Sequence, residues 1–187
     1  MALDPFWNRP ALRELYEPLI GNSMLELGDK LDGGRVYKPW FEALGFRHVS
    51  VDLNGNNGAL PLDLTKPLGL GTFNMVTNIG TSEHVSEDDW NGQIECWRNI
   101  CYAMHVGSVL ICDTPKGPKG WKEHGRWHPK MEFYSELARL NGLEVERLLE
   151  NDWRPGHTSR RVVSARMVKM EEVPFVMPDR KHMFDNR

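Results

Sequence analysis

With 187 residues, 40% of them hydrophobic and 26% charged, the sequence has the makeup of an ordinary globular domain with a sizeable core. Its formal charge of −3 argues against a general nucleic-acid binder, which would carry a basic stripe, and no apolar run approaches the ~20 residues that cross a bilayer. The start MALDPFWNRP lacks the apolar core of a secretion signal, and Cys96, Cys101 and Cys112 show no paired spacing, so reduced thiols and a cytoplasmic location are expected.

The first predicted element is a helix over Ala11–Ile20, with Leu12, Leu15, Tyr16 and Leu19 on one face and Gly21 as its stop. Met24–Leu27 reads as a buried strand. Val36–Leu44 has helical spacing and ends at Gly45, and His48–Val51 is a second strand. The turn-rich run Asn54-Gly55-Asn56-Asn57-Gly58 precedes a very short third strand at Ala59–Leu62. Phe73–Thr77 is the fourth strand. A long helix, capped near Ser86 with Glu87, Asp88 and Asp89 in its first turn, runs to about Met104, with Trp90, Ile94, Trp97 or Cys101, and Met104 as its apolar stripe.

Ser108–Cys112 follows as the fifth strand, and Thr114–Pro129 as a long loop rich in Gly, Pro, Lys, Trp and His. Lys130–Asn141 is a helix closed by Gly142, and Leu143–Leu149 and Arg161–Met170 alternate with period two, as an antiparallel pair would. Pro174–Arg187 reads as an extended tail. The alternation of strands and helices predicts a single α/β domain over residues 1–187, with its core at about 11–170 and a tail at 171–187. Its sheet should be mostly parallel, with helices on both faces.

Two short strands point to a ligand. The first stops at Glu26-Leu27-Gly28 and the second at Asp52. A glycine there lets backbone approach a ligand closely, and an acid at the next strand end binds a ribose diol. The dinucleotide fingerprint GxGxxG is absent, because Gly28 is followed by Asp29-Lys30-Leu31-Asp32 before Gly33-Gly34, and GxxxxGK[ST] is absent as well. A nucleoside without phosphates fits this modest glycine content.

From about Ser23 to Met170 the sequence resembles the class I S-adenosylmethionine-dependent methyltransferases. Glu26-Leu27-Gly28 resembles the first half of that family's E/D-x-G-x-G loop, with Lys30 in place of the second glycine. Asp52 stands where the family's ribose-binding acid ends the second strand, Asp63 of PLDL resembles the acid beside the adenine, and Asn74–Val85 resembles the fourth-strand motif with its following turn. The final strand pair matches the family's reversed last strand.

The resemblance implies a Rossmann-like three-layer sandwich with a mostly parallel seven-stranded sheet and an antiparallel last strand. The short segment between Asp52 and Asp63 leaves the helix between strands two and three shortened or absent. It also implies S-adenosyl-L-methionine as cofactor, with Glu26, Leu27, Gly28, Asp52, Leu53, Asp63, Leu64 and Asn78 around it. Glu26 also reads as a residue that caps or pairs locally, Asp52 as one that simply ends its strand, and Asp63 as a turn residue that satisfies nearby backbone.

Methyl transfer from a sulfonium needs an aligned acceptor, excluded water and a place for any released proton. The turn after strand four, Thr81-Ser82-Glu83-His84, offers Glu83 and His84, which could equally cap the next helix. The long loop adds His124 and His128, suited to substrate capture. No metal is expected from His84, His124 and His128, for want of an evident acidic partner. The [DNS]PP[YFW] string of amino-methylating nucleic-acid enzymes is absent, as Asn78-Ile79-Gly80-Thr81 stands there, and Cys112-Asp113-Thr114-Pro115 has the wrong order for a Pro-Cys nucleophile. The expected acceptor is therefore a small molecule, or a peptide or sugar group, with no nucleic-acid or membrane partner. The alternatives are a non-enzymatic cofactor-binding or scaffold module on the same fold, and an enzyme that acts on the cofactor itself.

Overall fold

The computed structural model describes residues 14, 16–29, 31–32, 35–117, 119–152 and 160–186. Seven strands form one sheet in the order β5-β4-β1-β6-β7-β10-β9. These are β1 (Ser23–Leu27), β4 (Arg47–Asp52), β5 (Leu60–Pro61), β6 (Phe73–Ile79), β7 (Met104–Pro115), β9 (Leu143–Asp152) and β10 (Arg161–Lys169), while β2 (Leu31–Asp32) and β3 (Arg35–Val36) pair antiparallel in a sheet of their own. The strands from β5 to β7 are mutually parallel. β10 runs antiparallel to both β7 and β9 and so is the reversed strand of the sheet. The expected sandwich is the observed one.

Period-two alternation explains why both faces of this sheet are covered. Leu25 and Leu27 of β1, Val76 of β6 and Leu110 and Cys112 of β7 join Trp97, Ile100, Phe133 and Leu137 in one core. Their sequence neighbours Met24, Met75, Val109 and Ile111 join Tyr37, Trp40 and Phe41 in a second core. The helices responsible are α2 (Trp90–Tyr102) and α3 (Met131–Leu140) on the first face and α1 (Lys38–Ala43) on the other. Among the described residues, no helix is long and apolar enough to cross a membrane.

Several boundaries differ from the sequence reading. The helix placed at Ala11–Ile20 falls largely outside the described residues, and its described end is a 3₁₀ turn at Glu17–Leu19. Lys30, Gly33 and Gly34 also lie outside them. β4 and β5 are joined by a 3₁₀ turn at Asn56–Gly58, with Asn57 at φ 52°, where a full helix would otherwise stand. The N-cap of α2 is Asp89, whose side chain accepts from Asn91 N at 2.9 Å, and Ser86 sits outside the helix at φ 49°.

β7 is longer than expected because it stays paired along β6 and β10. The long loop closes with β8 (Trp127–Pro129), which pairs antiparallel with β11 (Met183–Asp185) of the tail. The tail is thus ordered through these residues. Phe175 and Met177 pack on the core along its way, so it acts as a strap across the α2 and α3 side.

Candidate functional site

In the sheet order the chain runs from β1 outward to β4 and β5, then crosses back to β6 on the other side of β1. In open α/β sheets, ligands bind at such a reversal, beyond the carboxyl ends of the strands. A cleft of about 230 Å³ lies at that place, reached by Gly28 after β1, Asp52 and Leu53 at the end of β4, Leu62–Thr65 after β5, and Thr81 and His84–Ser86 after β6. A second cavity of about 220 Å³, formed by the Pro67–Thr72 loop and the end of α2, has no charged residue in its lining among the described residues.

Gly28 is held by its N–H, which donates to Val51 O at 2.8 Å, and its φ of +84° is a conformation glycine tolerates best. A Cβ there would meet Thr81 Oγ1 at 2.5 Å. That hydroxyl donates to Leu27 O at 2.7 Å, so the turn after β6 lies directly against the turn after β1. Asp52 is half-buried. Its two carboxylate oxygens accept from Asp29 N at 2.9 Å and Asn54 N at 3.0 Å, which fixes the acid at the cleft rim. Asn57 Nδ2 donates to the Asp29 carboxylate and ties the 3₁₀ turn to the end of β1.

Leu53 is 76% exposed at the mouth, while Leu64 is buried into the core. Asp63 Oδ1 accepts from both the N–H and the hydroxyl of Thr65, each at 2.8 Å. The backbone bond first and the hydroxyl second hold its carboxyl below its ordinary value. Asp63 is therefore both a turn residue and part of the cleft.

Three residues expected around a cofactor lie elsewhere. Glu26 shares its side of β1 with Met24, and its carboxylate meets His48 Nε2 at 2.9 Å inside the protein, with the His48 ring stacked on Phe41. Leu27 faces the core, and only its carbonyl takes part, as the acceptor for Thr81. Asn78 is fully buried and braces the turn after β6: its Nδ2 donates to Ser82 Oγ at 2.8 Å and its Oδ1 accepts from Ser82 N at 3.1 Å.

Glu83, His84 and His124 converge. The Glu83 carboxylate is fully buried, with Oε1 3.7 Å from His124 Nε2 and 4.0 Å from His84 Nε2. The two imidazoles meet edge to face at 4.7 Å. Glu83, a candidate already beside His84 in the sequence, is the acid that both rings approach, and its meeting with His124 was not evident from the sequence. It lies in a 3₁₀ turn at Ser82–His84 rather than at the start of α2.

His128 stands apart from this cluster. Its buried ring spans Gly117 O at 2.9 Å and His124 O at 2.7 Å and so ties the loop together. Thr81 and Arg126 went unchosen in the sequence. Arg126 forms a two-pronged pair with Asp185 and donates to Glu87 O, linking the strap to the loop. The Thr81–Leu27 and Arg126–Asp185 contacts span more than fifty residues and the Arg126–Glu87 contact nearly forty, which no local pattern signals.

No family model and no curated protein sequence matches the chain. Solved structures do. The 1,6-didemethyltoxoflavin-N1-methyltransferase of Burkholderia thailandensis, with bound 1,6-didemethyltoxoflavin and S-adenosylhomocysteine, is 15% identical over 90% of this chain and 80% of its own, with a TM-score of 0.65. The N-methyltransferase NodS of Bradyrhizobium japonicum, in complex with S-adenosylhomocysteine, is 13% identical over 91% and 94%, with a TM-score of 0.58. An S-adenosylmethionine-dependent methyltransferase of Clostridium acetobutylicum is 11% identical over 90% and 93%, with a TM-score of 0.59. The chain has the fold of the class I S-adenosylmethionine-dependent methyltransferases.

Proposed function

We propose that this protein is an S-adenosylmethionine-dependent methyltransferase acting on a small-molecule acceptor. Asp52 is the observation that carries the reading: an acid ends β4 at the rim of the cleft at the sheet's reversal point. A carboxylate has about four acceptor sites. The two amide bonds that fix Asp52 therefore leave capacity for a ribose diol. Leu53, Leu62 and Leu64 offer apolar contact for a base, and Gly28 keeps the floor of the cleft free of a side chain.

When bound, the sulfonium supplies a methyl group already activated for in-line displacement. The chain's own part is to orient the acceptor, exclude water and receive its proton. His84, on the cleft wall with the Glu83 carboxylate behind it, is placed to take that proton at a ring nitrogen. His124 of the long loop meets the His84 ring edge to face at 4.7 Å. The bound didemethyltoxoflavin of the Burkholderia structure supports a small acceptor for this fold.

Calorimetry with S-adenosylhomocysteine tests the reading. Binding is expected, and Asp52→Ala should weaken it by about 1.5–3 kcal/mol, the range for a hydrogen bond to a charged group. Absence of heat and of thermal stabilisation with the wild-type chain would sink the cofactor assignment. Unchanged affinity in the variant would remove Asp52 from the site. Methyl transfer to a panel of small amines, phenols and carboxylic acids then separates an enzyme from a binding module, and cofactor breakdown without any acceptor would point to the third reading.

A further inference from the structure

Glu83, His84 and His124 admit a second chemistry, alternative to proton uptake by His84, because a ring whose Nε2 holds an ion and whose Nδ1 faces Glu87 has no nitrogen left to act as a base. One donor atom from each falls within 4.8 Å of the others. Two imidazoles and one carboxylate form a ligand set that first-row divalent ions take, whereas calcium and magnesium favour all-oxygen sets. We propose that these three side chains bind a divalent transition-metal ion of the zinc type, with its remaining coordination position turned towards the cleft that His84 lines.

The spacing is close to what coordination requires. Zinc bonds of about 2.0–2.1 Å place tetrahedral ligand atoms roughly 3.3 Å apart. The observed Glu83–His124 and Glu83–His84 separations are 3.7 and 4.0 Å. Closing them takes roughly 0.4 and 0.7 Å, and the two imidazole donors, within 4.8 Å of each other, must approach as well; both imidazole side chains are 43% exposed, so they have room to turn, while the buried Glu83 stays fixed. His84 lends one nitrogen and has a carboxylate at the other: Glu87 Oε1 lies 3.5 Å from its Nδ1. A carboxylate behind a ligating histidine is the usual outer-shell arrangement that sets the ring's orientation.

The His124 side of the site is built to the same end. His124 N donates to Trp121 O at 3.0 Å, and its carbonyl accepts from the buried His128 ring at 2.7 Å. Arg126 N donates to Glu83 O at 2.8 Å, and a Cβ on Gly125 would lie 2.7 Å from Glu83 Cγ, so the loop rests directly on the acid. The strap closes over this arrangement, with Asn186 Nδ2 donating to Trp121 O and Gly125 O at 2.9 and 3.0 Å. Ligands separated by forty residues are thereby held in one place before any ion arrives. Ion binding needs no cofactor. Only the further step, in which an oxygen or nitrogen of the acceptor completes the coordination, rests on the methyltransferase reading.

The test uses the full chain, stripped with a chelator and then titrated with Co²⁺ while its ligand-field absorption is followed, with Zn²⁺ competing. One ion per chain is expected, displaced by Zn²⁺. His124→Ala and His84→Ala, both at half-exposed positions, should each weaken binding at least tenfold with unchanged circular dichroism. His105→Ala, at the far end of β7, should leave binding unchanged. Glu83→Gln is informative only where its fold is intact, and there it should also lose affinity.

No ligand-field band, binding that survives both histidine variants, or binding of Mg²⁺ in preference to Zn²⁺ would overturn the proposal. S-adenosylhomocysteine affinity of the stripped protein is measured alongside. Retained cofactor binding without Co²⁺ binding overturns the metal site alone, and the converse overturns the cofactor reading alone.

Discussion

Replacing Gly28 with alanine places a methyl group where the two turns of the cleft touch. At φ +84° the added Cβ itself costs about 1–2 kcal/mol. It would also stand 2.5 Å from Thr81 Oγ1 and 3.2 Å from Thr81 Cγ2, so the threonine must turn away and give up its 2.7 Å bond to Leu27 O. Loss of that bond adds about 0.5–1.5 kcal/mol, for a total of about 1.5–3.5 kcal/mol.

Thr81→Ala alone removes the same bond and should cost about 1 kcal/mol. The double variant has no side chain left to displace, and the bond can be lost only once. It should therefore be no less stable than Gly28→Ala, about 1 kcal/mol better than the sum of the single changes. Urea denaturation of the four proteins measures this coupling, and additivity to within ~0.5 kcal/mol would refute the contact between the turns. Since the same contact shapes the cleft, Gly28→Ala should also weaken S-adenosylhomocysteine, and a Gly28→Ala variant that binds it normally would separate the turn from the ligand.

The remaining expectations concern stability and reactivity. Burial pushes the Cys101 thiol up to about 12 and those of Cys96 and Cys112 higher still. All three should therefore resist a disulfide reagent at neutral pH until denaturant is added, and one fast-reacting thiol in the native protein would contradict the packing of α2 against β7. Lys169 is buried, with Nζ donating to Met104 O at 3.0 Å, to Cys101 O at 3.3 Å and to the Glu172 carboxylate at 2.6 Å, at the carboxyl end of α2. Lys169→Met keeps most of the volume but leaves those carbonyls without their donor, at a cost of about 1–3 kcal/mol in denaturant melts; an unaffected midpoint would discount the interaction.

Asp63 has a folded pKa below its ordinary value, so its contribution is complete above the ordinary carboxylate range and is lost as the pH falls through the depressed value. Asp63→Asn should flatten the stability curve in that acid window and run parallel to the wild type above it. An unchanged acid limb would exclude the turn as the source.

Sequence and structure divide cleanly at particular residues. The layered fold was legible because a buried parallel strand and an amphipathic helix each leave a periodic apolar trace, and those traces alternate from Met24 to Met170. Gly28 and Asp52 were legible for a related reason: a strand end in such a sheet has a fixed place relative to the crevice. Glu26 and Asn78 were assigned by motif position, yet a side chain's direction depends on its neighbours across the sheet. His48 claims the first and Ser82 the second.

By itself, then, the sequence determined the sheet, its reversed strand and the acid at the rim of its cleft, because these follow from local periodicity and chain order. Only the tertiary structure decided that Glu83 meets His84 and His124, that Thr81 closes on Gly28, and that the tail straps the loop in place. Each of the last two, and the Glu83–His124 pair, joins residues forty or more apart. Such proximity comes from packing and leaves no periodic mark on the chain.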